Sequence, residues 1–216
     1  MLFVIITGLF AVAVALFVDG TITKRGPKLK PEVSRKIVHV TNYTMIAFWP
    51  FFTSYKVVIA IELVFLLIAI LARKYHWTNT VSNVYRLTWG EQFGALGTIV
   101  IALMNPNPWI FATAMLFVGL ADAAAALVGK SIGKYKYMIF GNKKTLEGST
   151  AFALTAFLIM IVMVQFMPSD ISVSWPLIIL LPLATTAIEG ISPFGLDNFL
   201  IPLVVVIVLN SAQLIS

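Results

Sequence analysis

The residues best suited to chemistry in this chain fall between Val118 and Phe152, in the stretch VGLADAAAALVGKSIGKYKYMIFGNKKTLEGSTAF. Asp122 sits inside an apolar run, eight residues before Lys130. If that run is helical, the carboxylate lies about 12 Å along the axis from the first cation. An ionisable group at such a depth is costly and by default marks a functional site. Ala121, Ala123, Ala124, Ala125 and Ala126 around it leave room for the close approach of a helix or a ligand. The neighbouring sequence supplies no basic partner for it. The loop that follows spaces Gly129, Gly133 and Gly141 among Lys130, Lys134, Lys136, Lys143 and Lys144. Glycine lets backbone N–H groups close on an anion, and lysine brings a point charge to phosphate. A buried acid beside a glycine-lysine loop points to a metal-phosphate site at a membrane surface.

Three further groups carry the same kind of chemistry. In RKIVH, residues 35–39, Arg35 and His39 share a helix face at i and i+4, with Lys36 beside them. They suit a phosphate grip with a proton-handling imidazole; equally, they suit an ordinary basic flank. KKTLEGS, residues 143–149, packs Lys143, Lys144, Thr145, Glu147 and Gly148 before an apolar run. Ser149 or Thr150 is the expected helix cap, and a helix N-terminus is itself an anion site. Glu147 is either a salt-bridge partner or a metal ligand. No GxxxxGK[ST] loop occurs. Glu189 and the pair Asp197–Asn198 bracket a short turn. Such oxygen ligands suit Mg²⁺, although Asp197 or Asn198 could simply cap a helix. Glu62 lies in the middle of an apolar run and needs a partner or a proton. His76 reads as a solvated residue.

These residues must be positioned by membrane-embedded helices. Of 216 residues, 60% are hydrophobic and the mean hydropathy is +0.96, well above a soluble domain. The expected fold is an all-α polytopic membrane bundle of seven or eight transmembrane helices, with residues 1–216 forming a single integral-membrane catalytic domain. The apolar runs are 2–18, 37–53, 55–72, 93–104, 109–129, 149–167, 175–188 and 199–215. The first lacks the basic start of a secretory signal and reads as a span. With both termini outside, fourteen of the fifteen Lys and Arg fall in the inside loops, and only Lys56 falls outside. The net charge of +6 is therefore largely a topology signal, and no nucleic-acid partner is expected. Seven of the nine carboxylates also gather at the inside ends. Charge asymmetry gives no reason for that, whereas a site on the cytoplasmic side does. The absence of cysteine excludes disulfides and thiolate chemistry.

Taken in order, RKIVH, ADAAAALVGKSIGK (121–134), KKTLEGS and EGISPFGLDNFLIP (189–202) resemble the CTP-dependent kinases of lipid alcohols, the family of dolichol, phytol and other polyprenol kinases. The resemblance runs from Arg35 to Pro202. It implies transfer of the γ-phosphoryl group of CTP to a lipid alcohol in the bilayer, with Mg²⁺. Asp122 matches the family's aspartate in a Gly-Asp step, although Ala121 replaces the glycine. Lys144, Thr145, Glu147 and Gly148 match a Lys-Thr-x-Glu-Gly block, and Asp197 and Asn198 match a late Asp-Asn. Asp122 and Lys144 are then the expected catalytic residues. Arg35, Lys36, His39, Gly129, Lys130, Gly133, Lys134, Lys143, Lys144, Thr145 and Gly148 are the expected nucleotide and phosphate contacts. Asp122, Glu147, Glu189, Asp197 and Asn198 are the candidate metal ligands. Alternatives are a phosphatidate cytidylyltransferase-like CDP-lipid synthase, a CTP-dependent diacylglycerol kinase and, more distantly, a small ion-coupled transporter.

Overall fold

Inside a bilayer every backbone polar group must find its partner within the protein, so apolar runs of this length fold as helices. The computed structural model describes residues 1–23, 31–75, 89–169 and 171–213. Lys24, Arg25, Lys28, Lys30, His76, Arg86 and Asp170 lie outside the described residues. Among the described residues the helices are α1 (Leu2–Thr23), α2 (Pro31–Phe48), α3 (Tyr55–Tyr75), α4 (Gly90–Leu103), α5 (Pro108–Ile132), α6 (Leu146–Phe166), α7 (Trp175–Ile191) and α8 (Asp197–Gln213). The expected order of eight helices is there, in a helical membrane protein. Among the described residues, only α3, α5 and α6 are long and apolar enough to cross a membrane by length and composition. Residues Leu2–Val18 of α1, and α4, α7 and α8, are shorter apolar helices. Seventeen residues rise only about 26 Å, against the 30 Å of a hydrocarbon core.

The centre of the bundle is α5. In its most apolar window 72% of the residues are buried, against 22% for α3 and 28% for α6. Helices α2, α6 and α8 pack on it. Phe111, Met115, Phe117 and Val118 of α5 meet Phe152 and Met160 of α6 and Ile201 and Val205 of α8 in one core. One turn of α5, Phe117–Ala121, is π-helical, and Asp122 follows it directly. Single π turns inside α-helices are rare and concentrate at functional sites.

The two ends of the bundle differ. At one end the amino terminus donates to Phe52 O (3.3 Å), the Tyr55 hydroxyl donates to Pro106 O (2.8 Å), and Gln213 Nε2 donates to Ser172 O (3.1 Å). At the other, Trp89 N donates to Phe194 O (2.8 Å), Asn142 Nδ2 donates to Ser192 O (2.6 Å), and Lys130 pairs with Glu32 (2.8 Å). Met1 and Gln213 thus share one end and the polar motifs share the opposite one.

The stretch 130–148, expected as a glycine-lysine loop, is more ordered than that. After α5 it forms a hairpin of β1 (Lys136–Ile139) and β2 (Asn142–Thr145), with Lys136 opposite Thr145 and Ile139 opposite Asn142. Phe140 and Gly141 make the turn with φ of 47° and 76°. A two-residue hairpin turn asks for positive φ at both positions, which suits Gly141 and strains Phe140. The other glycines serve close packing. A Cβ on Gly129 would stand 2.8 Å from Thr145 Oγ1, and one on Gly148 would stand 2.8 Å from the Ala125 carbonyl. One on Gly133 would lie 2.7 Å from Thr145 Cγ2. Thr145, and not Ser149 or Thr150, caps α6, its Oγ1 accepting from Gly148 N at 3.1 Å. The helix starts there because Thr145 is the last residue with extended backbone (φ −133°, ψ 148°).

Candidate active site

Asp122 has a basic partner after all, brought in from α2. The Lys36 ammonium is buried and ion-paired to Asp122 Oδ2. His39, one turn further along α2, reaches the same oxygen with Nε2 at 3.1 Å. That nitrogen also lies 2.9 Å from the Val118 carbonyl in the π turn. A carbonyl only accepts, so Nε2 carries the proton. The π turn and the residue directly after it thus present a carbonyl and a carboxylate to one imidazole.

On the other side of Asp122, β2 projects Lys144 between α7 and α8. Its ammonium pairs with Glu189 Oε1 and lies 3.6 Å from Asp197 Oδ2. Burial alone would lower its pKa, but the carboxylates of Glu189 and Asp197 outweigh burial and hold the ammonium above the usual lysine range. Asp122, Glu189 and Asp197 each present a carboxylate oxygen within 4.8 Å of the others. Glu189 Oε2 is buried without a hydrogen-bond partner among the described residues. Three carboxylates against two ammoniums leave a net negative charge in a buried place, and a divalent cation reverses that imbalance. Oxygen donors of this kind, one of them uncommitted, fit Mg²⁺.

The remaining expected site residues divide. Arg35 pairs with Glu32 at 2.6 Å, and Lys130 reaches the other Glu32 oxygen, so the three tie α2 to α5 at the end of the bundle that carries the polar motifs. Asn198 donates from Nδ2 to Gly90 O (2.9 Å), binding α8 to α4. Glu147 is not part of the carboxylate cluster. It accepts the backbone N–H groups of Lys134 (2.8 Å) and Tyr135 (3.2 Å) and so closes the link between α5 and β1. Lys134 and Lys143 are exposed, Lys143 on the strand face opposite Lys144. Gly129, Gly133, Gly148 and Thr145 lie at the α5–α6 crossing.

Sequence reasoning passed over Tyr43 and Asn42. Their signal was present: Arg35, His39, Asn42 and Tyr43 recur at helical spacing along one face of α2. Tyr43 is clasped between glycines, since a Cβ on Gly119 would meet Tyr43 Cβ at 2.8 Å and one on Gly94 would fall 1.8 Å from its hydroxyl.

Fold and site together define a helical membrane protein with a carboxylate-lysine centre near one end of the bundle. Over 183 residues, 80% of the chain, it is 32% identical to a phytol kinase of Synechocystis sp., of which the match covers 76%. Over 102 residues, 46% of the chain, it is 34% identical to the dolichol kinase of Saccharomyces cerevisiae, of which that match covers 18%. The chain belongs to the phytol, dolichol and polyprenol kinase family. No protein-family model matches it, and no solved structure does.

Proposed function

We propose that this protein is a lipid-alcohol kinase that transfers the γ-phosphoryl group of CTP to an isoprenoid alcohol such as phytol, geranylgeraniol, a polyprenol or dolichol. The convergence of Asp122, Glu189 and Asp197 from three helices, interleaved with Lys36 and Lys144, carries this reading. Phosphoryl transfer asks a protein chiefly for charge neutralisation and in-line positioning. Asp122, Glu189 and Asp197 would hold Mg²⁺, which when bound neutralises the triphosphate oxygens. Lys144 and Lys36 stand ready to exchange a carboxylate for a phosphate oxygen. The alcohol oxygen forms the new bond to the γ-phosphorus as the bond to the leaving CDP breaks. The hydroxyl proton passes to a carboxylate, most directly Asp122, whose orientation Lys36 and His39 fix. The site faces the cytoplasm and both chain ends lie outside, which is how the basic loops orient the bundle.

The test is incubation of the purified protein with labelled CTP or ATP, Mg²⁺ and a panel of lipid alcohols. Lipid phosphate and CDP are the expected products. Pyrophosphate with a CDP-lipid would overturn the kinase reading in favour of a CDP-lipid synthase.

A further inference from the structure

Beside the acid cluster, between α2, α3 and α4, lies a cavity of about 80 Å³, room for several water-sized groups. Its wall follows one face of α2 from Arg35 to Ile46, a length of about 16 Å. It therefore runs from the inner end of the bundle toward its middle. Glu62 of α3 lines it and is 98% buried, its relative exposure being 2%. Glu62 has neither a hydrogen bond nor an ion pair with any described residue. Burying a carboxyl group without a partner is costly, and a chain retains one for use.

The other polar groups along the wall connect Glu62 to the chemistry. The Tyr43 ring lies 4.6 Å from the His39 ring, and His39 touches Asp122. Gly94 leaves the space that the Tyr43 hydroxyl fills. Ile46 and Phe65 make the same wall apolar.

We propose that this cavity receives the hydroxyl-bearing end of an apolar-chain alcohol, with Glu62 accepting the hydroxyl's hydrogen bond in the resting complex, before the oxygen turns to Asp122 for transfer, and with Ile46 and Phe65 covering the first carbons. The assignment rests on the lipid-alcohol kinase reading. An alcohol O–H needs an acceptor that is not already taken. Asp122 is paired with Lys36, Glu32 with Arg35, and Glu189 keeps one oxygen on Lys144 and the other free for a metal, whereas Glu62 has no partner among the described residues. Glu91, the other carboxyl on this wall, is only half-buried and lies in the field of Arg35 and Arg73. Glu62 is a substrate-contacting residue on this reading, and Tyr43 positions the wall opposite it.

The experiment compares Glu62→Leu and Glu62→Gln in the full chain. Glu62→Leu should raise the KM for geranylgeraniol at least tenfold and leave the nucleotide KM within twofold. Its Tm should hold or rise, because an apolar side chain replaces an unpaired buried acid. Glu62→Gln keeps an acceptor oxygen and should retain most of the affinity. An unchanged alcohol KM in Glu62→Leu, or equal losses for both substrates with a lowered Tm, overturns the assignment. On the wild-type protein, geranylgeraniol carrying a diazirine next to its hydroxyl should label peptides spanning 35–46, 62–65 or 90–98. Labelling only on α6 and α7, with phosphorylation intact, overturns the pocket and leaves the kinase reading standing. If no lipid alcohol is phosphorylated or crosslinked by the wild type, the kinase reading fails and the pocket with it.

Discussion

Lys36 and Asp122, 86 residues apart in the chain, form an ion pair buried where α2 meets α5. The pair gives Asp122 a structural role beside the chemical one proposed for it. The sequence around Asp122 offers it no such partner.

Asp122→Asn should therefore lose both. Leaving Lys36 unpaired in a buried place costs about 3–5 kcal/mol, and loss of a base or metal ligand should lower turnover by roughly 10²-fold or more. Adding Lys36→Met to Asp122→Asn should restore Tm without restoring turnover. Melting and turnover measured on the same preparations check this, and recovery of both would remove Asp122 from the chemistry.

Chelation of divalent metal should abolish turnover, and Mg²⁺ or Mn²⁺ should restore it. Glu189→Gln and Asp197→Asn should each raise the Mg²⁺ concentration for half-maximal rate at least tenfold. Glu147→Gln should leave it unchanged, since that carboxylate caps Lys134 and Tyr135. A shift with Glu147→Gln as large as with Glu189→Gln would place the metal elsewhere.

Gly148→Ala should destabilise the protein by about 1–3 kcal/mol, because the new methyl would stand 2.8 Å from the Ala125 carbonyl and 3.0 Å from the capping Thr145 Oγ1. Gly141→Asn should be mild, since nothing lies within 4 Å of that position and asparagine tolerates positive φ. Thermal melting of the two variants ranks them.

The chain has no cysteine, so single cysteines report topology without background. Phe140→Cys at the hairpin tip should be shielded from an impermeant thiol reagent in intact cells, while Ser172→Cys and Thr53→Cys should react. Labelling of Phe140→Cys from outside would reverse the orientation.

Hydropathy located every described helix but misjudged its inner end. The apolar run before Glu189 and the one after Asp197 stop short of the acids, whereas α7 and α8 include both. Hydropathy marks where lipid contact ends; a helix continues as long as its backbone bonds do. The same limit hid the hairpin, since the β1 and β2 residues KYMI and NKKT are too polar and short to stand out from a loop. The pairing of Lys36 with Asp122 was illegible because it is a fact of helix packing, not of spacing. The three clustered acids Asp122, Glu189 and Asp197 were all singled out by their positions, together with Glu147 and Asn198, which the fold sets apart on backbone partners.

The carboxylate cluster draws one member from α5, one from α7 and one from α8, and its lysines from α2 and from β2. During synthesis these segments leave the ribosome far apart in time, and Asp197 comes out behind all the others. A chain lacking α8 would keep most of its apolar bulk yet lack one of the three carboxylates. The cluster is thus a property of the whole described bundle, complete only once α8 is in place beside α5 and α7.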